Sequence, residues 1–189
     1  MLEVVCGPMF SGKSEELIRR VRRAQIAKQH VRCFKHAADD RYDPEAVASH
    51  GDMRFSARPA KTAEEIWAHV GLGVDVVGID EVQFFDVEIV GLARTLSQKA
   101  RVICAGLDLD YRGKPFGAMP ALLALADKVT KLTAVCVLCG SDAARSFRKT
   151  PEIESALLTL EGEDLSGTIR VGAADVYEAR CLGCWRDKP

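Results

Sequence analysis

Hydrophobic positions along the first two-thirds of the chain fall into two kinds of block. Short, mainly apolar runs at Leu2 to Cys6, Val74 to Ile79 and Val102 to Ala105 predict strands, the first two of them buried, and Val31 to Phe34 and Val129 to Val135 are further strand candidates. Between them the apolar spacing becomes helical. Leu17, Ile18, Val21 and Ile26 share one side of a predicted helix from Ser14 to Gln29. Thr62-x-x-Glu65 resembles a capping box opening a short helix through Ile66 and Trp67. Ile89, Leu92, Ala93 and Leu96 mark a helix from Val87 to Gln98, and Pro120 opens another that reaches about Ala126. Ala37 to Met53 is polar and aperiodic and predicts a long loop, a type of segment often used as a lid or binding loop. Alternation of strands with helices implies an α/β fold: a mostly parallel sheet flanked by helices, over residues 1–133. Residues 134–189 lose that rhythm and read as a small separate lobe.

Composition adds bounds. At 189 residues the chain has room for one domain with a small appendage. With 26 Lys+Arg against 27 Asp+Glu its formal net charge is −1, which excludes a polybasic protein whose partner is chosen by overall charge. A local patch survives that test. Arg19, Arg20, Arg22, Arg23 and Lys28 crowd the first helix, most simply as a solvated face, alternatively as a subunit contact or nucleic-acid face. The longest apolar candidate, Pro115 to Ala126, is too short to span a bilayer, so no membrane association is expected. No charged segment followed by an apolar stretch opens the sequence, and a cytoplasmic location is expected.

Cysteine placement organises the last lobe. Seven cysteines without a secretory signal argue against a disulfide framework. Four of them form two Cys-x-x-Cys pairs, Cys136/Cys139 and Cys181/Cys184. That spacing lets two sulfurs reach one tetrahedral ion, and two pairs complete a closed structural Zn²⁺ site. Redox-active dithiols and plain buried cysteines are the alternatives. A core limited to this lobe is too small to hold it without a metal. Cys6, Cys33 and Cys104 lie in apolar runs and read as core residues, and His30, His36, His50 and His69 acquire no role.

Gly7-Pro8-Met9-Phe10-Ser11-Gly12-Lys13-Ser14 matches the full G-x-x-x-x-G-K-S pattern between an apolar strand and a helix. Glycines let the backbone wrap phosphates without a Cβ clash, and the amides and helix N-terminus offer partial positive charge. Lys13 would reach the β- and γ-phosphates of ATP, and the Ser14 hydroxyl would bind Mg²⁺. Val76-Val77-Gly78-Ile79-Asp80-Glu81 is an apolar strand ending in acids. Asp80 would hold Mg²⁺, and Glu81 could orient a nucleophile and take its proton. Strand and acids alone do not distinguish a kinase from an ATPase. The fold expected is therefore P-loop NTPase-like, with the C-terminal zinc lobe appended.

Taken together these blocks resemble one family, the cytosolic, zinc-containing (type II) thymidine kinases. The resemblance rests on Gly7–Ser14, on Asp80-Glu81-Val82-Gln83-Phe84-Phe85, on the segment Leu107 to Gly117, on Lys131 to Cys136, and on Val171 to Cys181. It implies Mg²⁺-dependent transfer of the ATP γ-phosphate to the 5′-hydroxyl of thymidine, and of deoxyuridine, in nucleoside salvage for DNA synthesis. By position, Glu81 is then the general base and Gln83 belongs to the nucleotide-binding acid block beside it. Met9, Phe84, Leu107, Tyr111 and Phe116 would wall the thymine, with Tyr177 against its sugar or edge. The backbone of Thr168, Ile169, Arg170, Val171 and Gly172 would hydrogen-bond the pyrimidine. Asp39 and Arg41 match a segment near the transferred phosphate, Arg41 as a charge stabiliser. A lid stretched between the two zinc pairs would close over the nucleoside. The family resemblance also implies a homotetramer and no nucleic-acid partner. The competing reading is a nucleic-acid-stimulated P-loop ATPase with a zinc ribbon, using the basic helix on phosphates.

Overall fold

The computed structural model describes residues 1–38, 46–48, 54–149 and 176–186. Its frame is a six-stranded, all-parallel sheet in the order β5-β2-β6-β7-β1-β8. The strands are β1 (Leu2–Cys6), β2 (Val31–His36), β5 (Arg58–Ala60), β6 (Val76–Asp80), β7 (Arg101–Gly106) and β8 (Lys128–Lys131). Among the described residues the helices are α1 (Lys13–Ile26), α2 (Ala63–Val70), α3 (Glu88–Ser97), α4 (Met119–Leu125) and α5 (Leu182–Arg186).

Strand periodicity sorts the apolar residues onto two faces. Val4, Phe34, Val77, Ile79 and Cys104 join Ile66, Ile89 and Leu122 in the core beneath α2, α3 and α4. Val5, Cys33, Val76, Ile103 and Ala105 point the other way, onto Leu17, Ile18 and Val21 of α1. Gly78 lets α1 approach closely: a Cβ there would lie 2.9 Å from Cys33 Sγ and 3.3 Å from Leu17 Cδ1. Thr62 caps α2 as expected, its Oγ1 accepting the Glu65 N–H at 3.3 Å. The reciprocal arm differs, because Glu65 Oε2 accepts from the N–H of Lys61 rather than Thr62.

Several expectations need correction. Strand β2 runs two residues past Phe34, to His36, because β6 and β5 pair with it there. The segment 37–53 is not wholly loop: β3 (Ala46–Ala48) pairs antiparallel with β4 (Arg54–Ser56). The short edge strand β5 has no apolar run to announce it, and its Pro59 is tolerated at a sheet edge. The predicted strand from Val129 to Val135 divides into β8 in the sheet and β9 (Ala134–Val135) outside it. Beyond it, β9 pairs with β10 (Asp142–Ala143), and β11 (Arg145–Arg148) pairs with β12 (Tyr177–Arg180).

Arg20 also departs from the solvated face expected of α1. It is buried because Glu3 on β1 faces it. Arg20 donates to Glu3 Oε2 at 2.6 Å and to Glu16 and Thr130, while Arg101 donates to both Glu3 oxygens. Burial alone would push the Glu3 carboxyl up, but Arg101 and then Arg20 outweigh it and hold that carboxyl below the usual range.

Candidate active site

The loop Gly7–Gly12 joins β1 to α1 and takes three positive φ angles, 149° at Gly7, 65° at Phe10 and 80° at Gly12. Gly7 has no room for a side chain: a Cβ would lie 2.5 Å from the Leu132 carbonyl oxygen and 2.9 Å from Ser11 Oγ. Gly12 occupies the N-cap of α1 and supplies no side-chain cap, so the first-turn amides face the loop's concavity. Lys13 is buried and donates to the Pro8 carbonyl at 2.7 Å, as does the Ser11 hydroxyl at 2.8 Å. The lysine side chain therefore folds back over the loop. Ser14 follows in the first turn of α1. Phe10 turns outward and packs with Ala134, Cys136, Ala143 and Ala179.

Asp80 ends β6, two strands away from β1 across β7. Helix α1 bridges that gap. Leu17 touches the Gly78 position, so Lys13 and Ser14, one turn earlier, lie at the height of Asp80. Asp80 and Glu81 are buried. The Glu81 N–H donates to Asp80 Oδ1 at 3.0 Å, and Glu81 itself holds the left-handed conformation (φ 51°, ψ 40°) as N-cap of a 3₁₀ turn, Val82–Phe84. Gln83, inside that turn, donates from Nε2 to Glu81 Oε2 at 2.5 Å and accepts the Leu107 N–H on Oε1 at 3.0 Å.

An aromatic group borders the acids. Phe84 meets Phe116 edge-on with ring centroids 5.6 Å apart. His36 contacts Phe84 and Phe85, at 5.9 Å and 4.7 Å, which fills the role sequence reading left blank for this histidine. The stretch from Leu107 to Gly117 is a compact turn: Asp110 Oδ1 accepts the N–H groups of Arg112 and Lys114, and Leu109 bridges to Pro115. Arg112 and Arg148 lie over the Tyr111 ring, 5.2 Å and 5.4 Å from its centroid. Arg148 pairs in register with buried Tyr177, so β11 and β12 bring Tyr177 toward the same wall. Arg41 and residues 168–172 lie outside the described residues, as does Asp39.

The cysteine pairs converge. Sγ atoms of Cys136, Cys139, Cys181 and Cys184 all lie within 4.8 Å of one another, and Cys139 and Cys181 are 3.7 Å apart. A Zn–S bond of about 2.3 Å makes a tetrahedron with edges near 3.8 Å, so the four sulfurs fit one zinc ion. The backbone N–H of Cys181 does most to bring the Cys136 thiol down to about 6, while hydrogen bonding with Cys181 raises Cys184 to about 12. Cys6, Cys33 and Cys104 are buried, as read from sequence, and burial pushes their thiols up to about 11, 12 and 12.

Three participants escaped the sequence reading or were only loosely placed by it. Lys35 is fully buried at the end of β2 and pairs in register with Asp80, so both side chains emerge on the α1 face. Its only signal is its place directly after the strand candidate Val31 to Phe34. Ser146 accepts the Met9 N–H at 3.0 Å, tying β11 to the phosphate loop. Trp185 on α5 packs against Gly113, where a Cβ would sit 3.1 Å from its ring. The cysteine cluster is thus braced against both the phosphate loop and the turn that carries Tyr111.

A glycine loop of this shape, at the end of a parallel sheet with acids closing a strand two places away, makes the chain a nucleotide-binding protein of the P-loop class. Comparison with family models is more specific. Residues 1–185 match the family described as Thymidine kinase, and the chain belongs to that family. The match covers nearly the whole chain and assigns it the kinase reaction, transfer of a phosphate from ATP to thymidine. Nothing in the match favours the nucleic-acid-stimulated ATPase. No helix among the described residues is long and apolar enough to cross a membrane.

Proposed function

We propose that the buried Asp80–Glu81 pair divides the work of phosphoryl transfer. Ser14 Oγ and the Asp80 carboxylate would hold Mg²⁺, which neutralises phosphate charge when bound. Gly7 to Lys13 cradle the ATP phosphates, and the Glu81 carboxylate takes the proton of the thymidine 5′-hydroxyl. The observation that carries this reading is the placement of two acids at one strand end, at the height of the first turn of α1. One is carried on the α1 face beside Lys35, and the next is turned by a left-handed residue. Phosphoryl transfer needs positioning and charge neutralisation more than covalent participation, and these groups supply both.

Met9, Phe84, Leu107, Tyr111, Phe116 and Tyr177 form the nucleoside wall, with Phe84–Phe116 as its edge-on core. The backbone of residues 168–172 recognises the pyrimidine, and Arg41 stabilises charge at the transferred phosphate. Residues 1–133 form the nucleotide-binding domain and 134–189 the zinc lobe, which anchors both ends of the covering loop. A homotetrameric cytoplasmic enzyme serving deoxynucleoside salvage for DNA synthesis, accepting deoxyuridine as well, completes the reading.

The test is ADP release measured with ATP and Mg²⁺ plus no acceptor, thymidine, deoxyuridine, other nucleosides, or single-stranded DNA. Acceleration by thymidine and deoxyuridine, with matching 5′-monophosphate formation, is expected. Acceleration by DNA alone overturns it.

A further inference from the structure

Gln83, which the resemblance places in the nucleotide-binding acid block, is buried and turns its amide to groups of the protein itself. Its side chain is 2% exposed, and both ends of its amide are engaged inside the protein. The bonding pattern admits only one orientation. Nε2 faces a carboxylate oxygen and Oε1 faces a backbone N–H, so a flipped amide would set oxygen against oxygen and N–H against N–H. The backbone around it is cut to fit. A Cβ at residue 106 would lie 2.5 Å from Gln83 Oε1, and one at residue 117 would lie 2.2 Å from the Gln83 carbonyl oxygen. Gly117, at φ 50°, takes a turn against the Gln83 backbone that a side chain would block, and Gly106, the last residue of β7, leaves room for the Gln83 amide.

We infer that Gln83 is a positioning residue: it holds the Glu81 carboxylate toward the acceptor hydroxyl and couples it to the Leu107 end of the nucleoside wall. The inference rests on the reading of Glu81 as general base. Glu81 has a strained backbone and a carboxylate at a strand end, and a rotamer change would carry that carboxylate off line. A donor fixed at both ends removes that freedom, which is how a supporting side chain sharpens a proton-accepting geometry. A bridge to the amide of Leu107 also means that the base and the thymine wall move as one unit.

The experiment is a double-mutant cycle with Gln83→Met and Glu81→Gln, measuring kcat and both KM values, with thermal melting as a check on folding. Gln83→Met keeps the volume and removes both hydrogen bonds. Its kcat should fall about 10–100-fold while KM for ATP and thymidine stays within about twofold. In the Glu81→Gln background the same change should alter kcat by less than about threefold, since a group acting through Glu81 has nothing left to position. An undiminished kcat, an equal loss in both backgrounds, or a loss confined to KM for ATP overturns the inference. Near-normal kcat in Glu81→Gln alone removes the base reading and the inference with it, whereas an inactive Glu81→Gln beside an active Gln83→Met removes only the inference. Should Gln83→Met not fold, Gln83→Glu decides: it keeps the acceptor for Leu107 but replaces the donor at Glu81, and its kcat should fall at least as far.

Discussion

A small number of residues here adopt backbone conformations that their neighbours enforce. Gly117 (φ 50°) lies so close to the Gln83 carbonyl that no side chain fits, and the contact closes the turn behind the acids. Overpacking together with a left-handed non-glycine residue costs about 1–3 kcal/mol. Gly117→Ala should therefore lower the melting temperature and, by shifting the 82–84 turn, reduce kcat as well. A melting curve and turnover assay matching wild type would show that the turn can yield. Gly12 reads as special from the motif, but Gly117 does not, since its constraint is a neighbour 34 positions earlier in the chain.

At the scale of elements, the junction of α1, β1 and β7 is held by charge inside an otherwise apolar face. Glu3 lies between Arg20 and Arg101, and Glu16 binds Arg19 and Arg20. Hydrogen bonding by Arg19 leads in bringing the Glu16 carboxyl down to about 2, and Glu3 is likewise depressed. Depressed folded-state values mean stability that is in place above the ordinary carboxyl pKa of 4.5 and is lost as pH falls through the folded-state values. Melting temperature should thus decline below about pH 4.5. Glu3→Gln should cost up to ~3 kcal/mol at neutral pH, the low end for a broken buried pair because Arg20 keeps Glu16. It should also flatten the acid limb of the melting profile, and an unchanged limb would assign the acid loss elsewhere. The helical spacing of α1 was legible, yet the burial of Arg20 was not, because it depends on a carboxylate from another strand.

For the whole molecule, the cysteine cluster is a brace. Its lobe touches the phosphate loop through Ser146 and Phe10 and touches the Tyr111 turn through Trp185. Cys181→Ser should abolish bound zinc, read by elemental analysis, and raise the thymidine KM more than that for ATP. Retained zinc would mean that another residue completes the site. An ATP KM raised equally would mean that the brace serves the phosphate loop as much as the nucleoside wall.

Local chemistry, by itself, determined the glycine loop between β1 and α1, the acids at the end of β6, the paired thiols and the alternation that makes a parallel sheet. Each depends on residue type at short spacing, and such patterns survive in one dimension. Strand order, the edge strand β5, the division of β8 from β9, and the burial of Lys35, Arg20 and Gln83 were decided only in three dimensions. These depend on which distant backbone or charge arrives alongside, and packing, not spacing, supplies that neighbour.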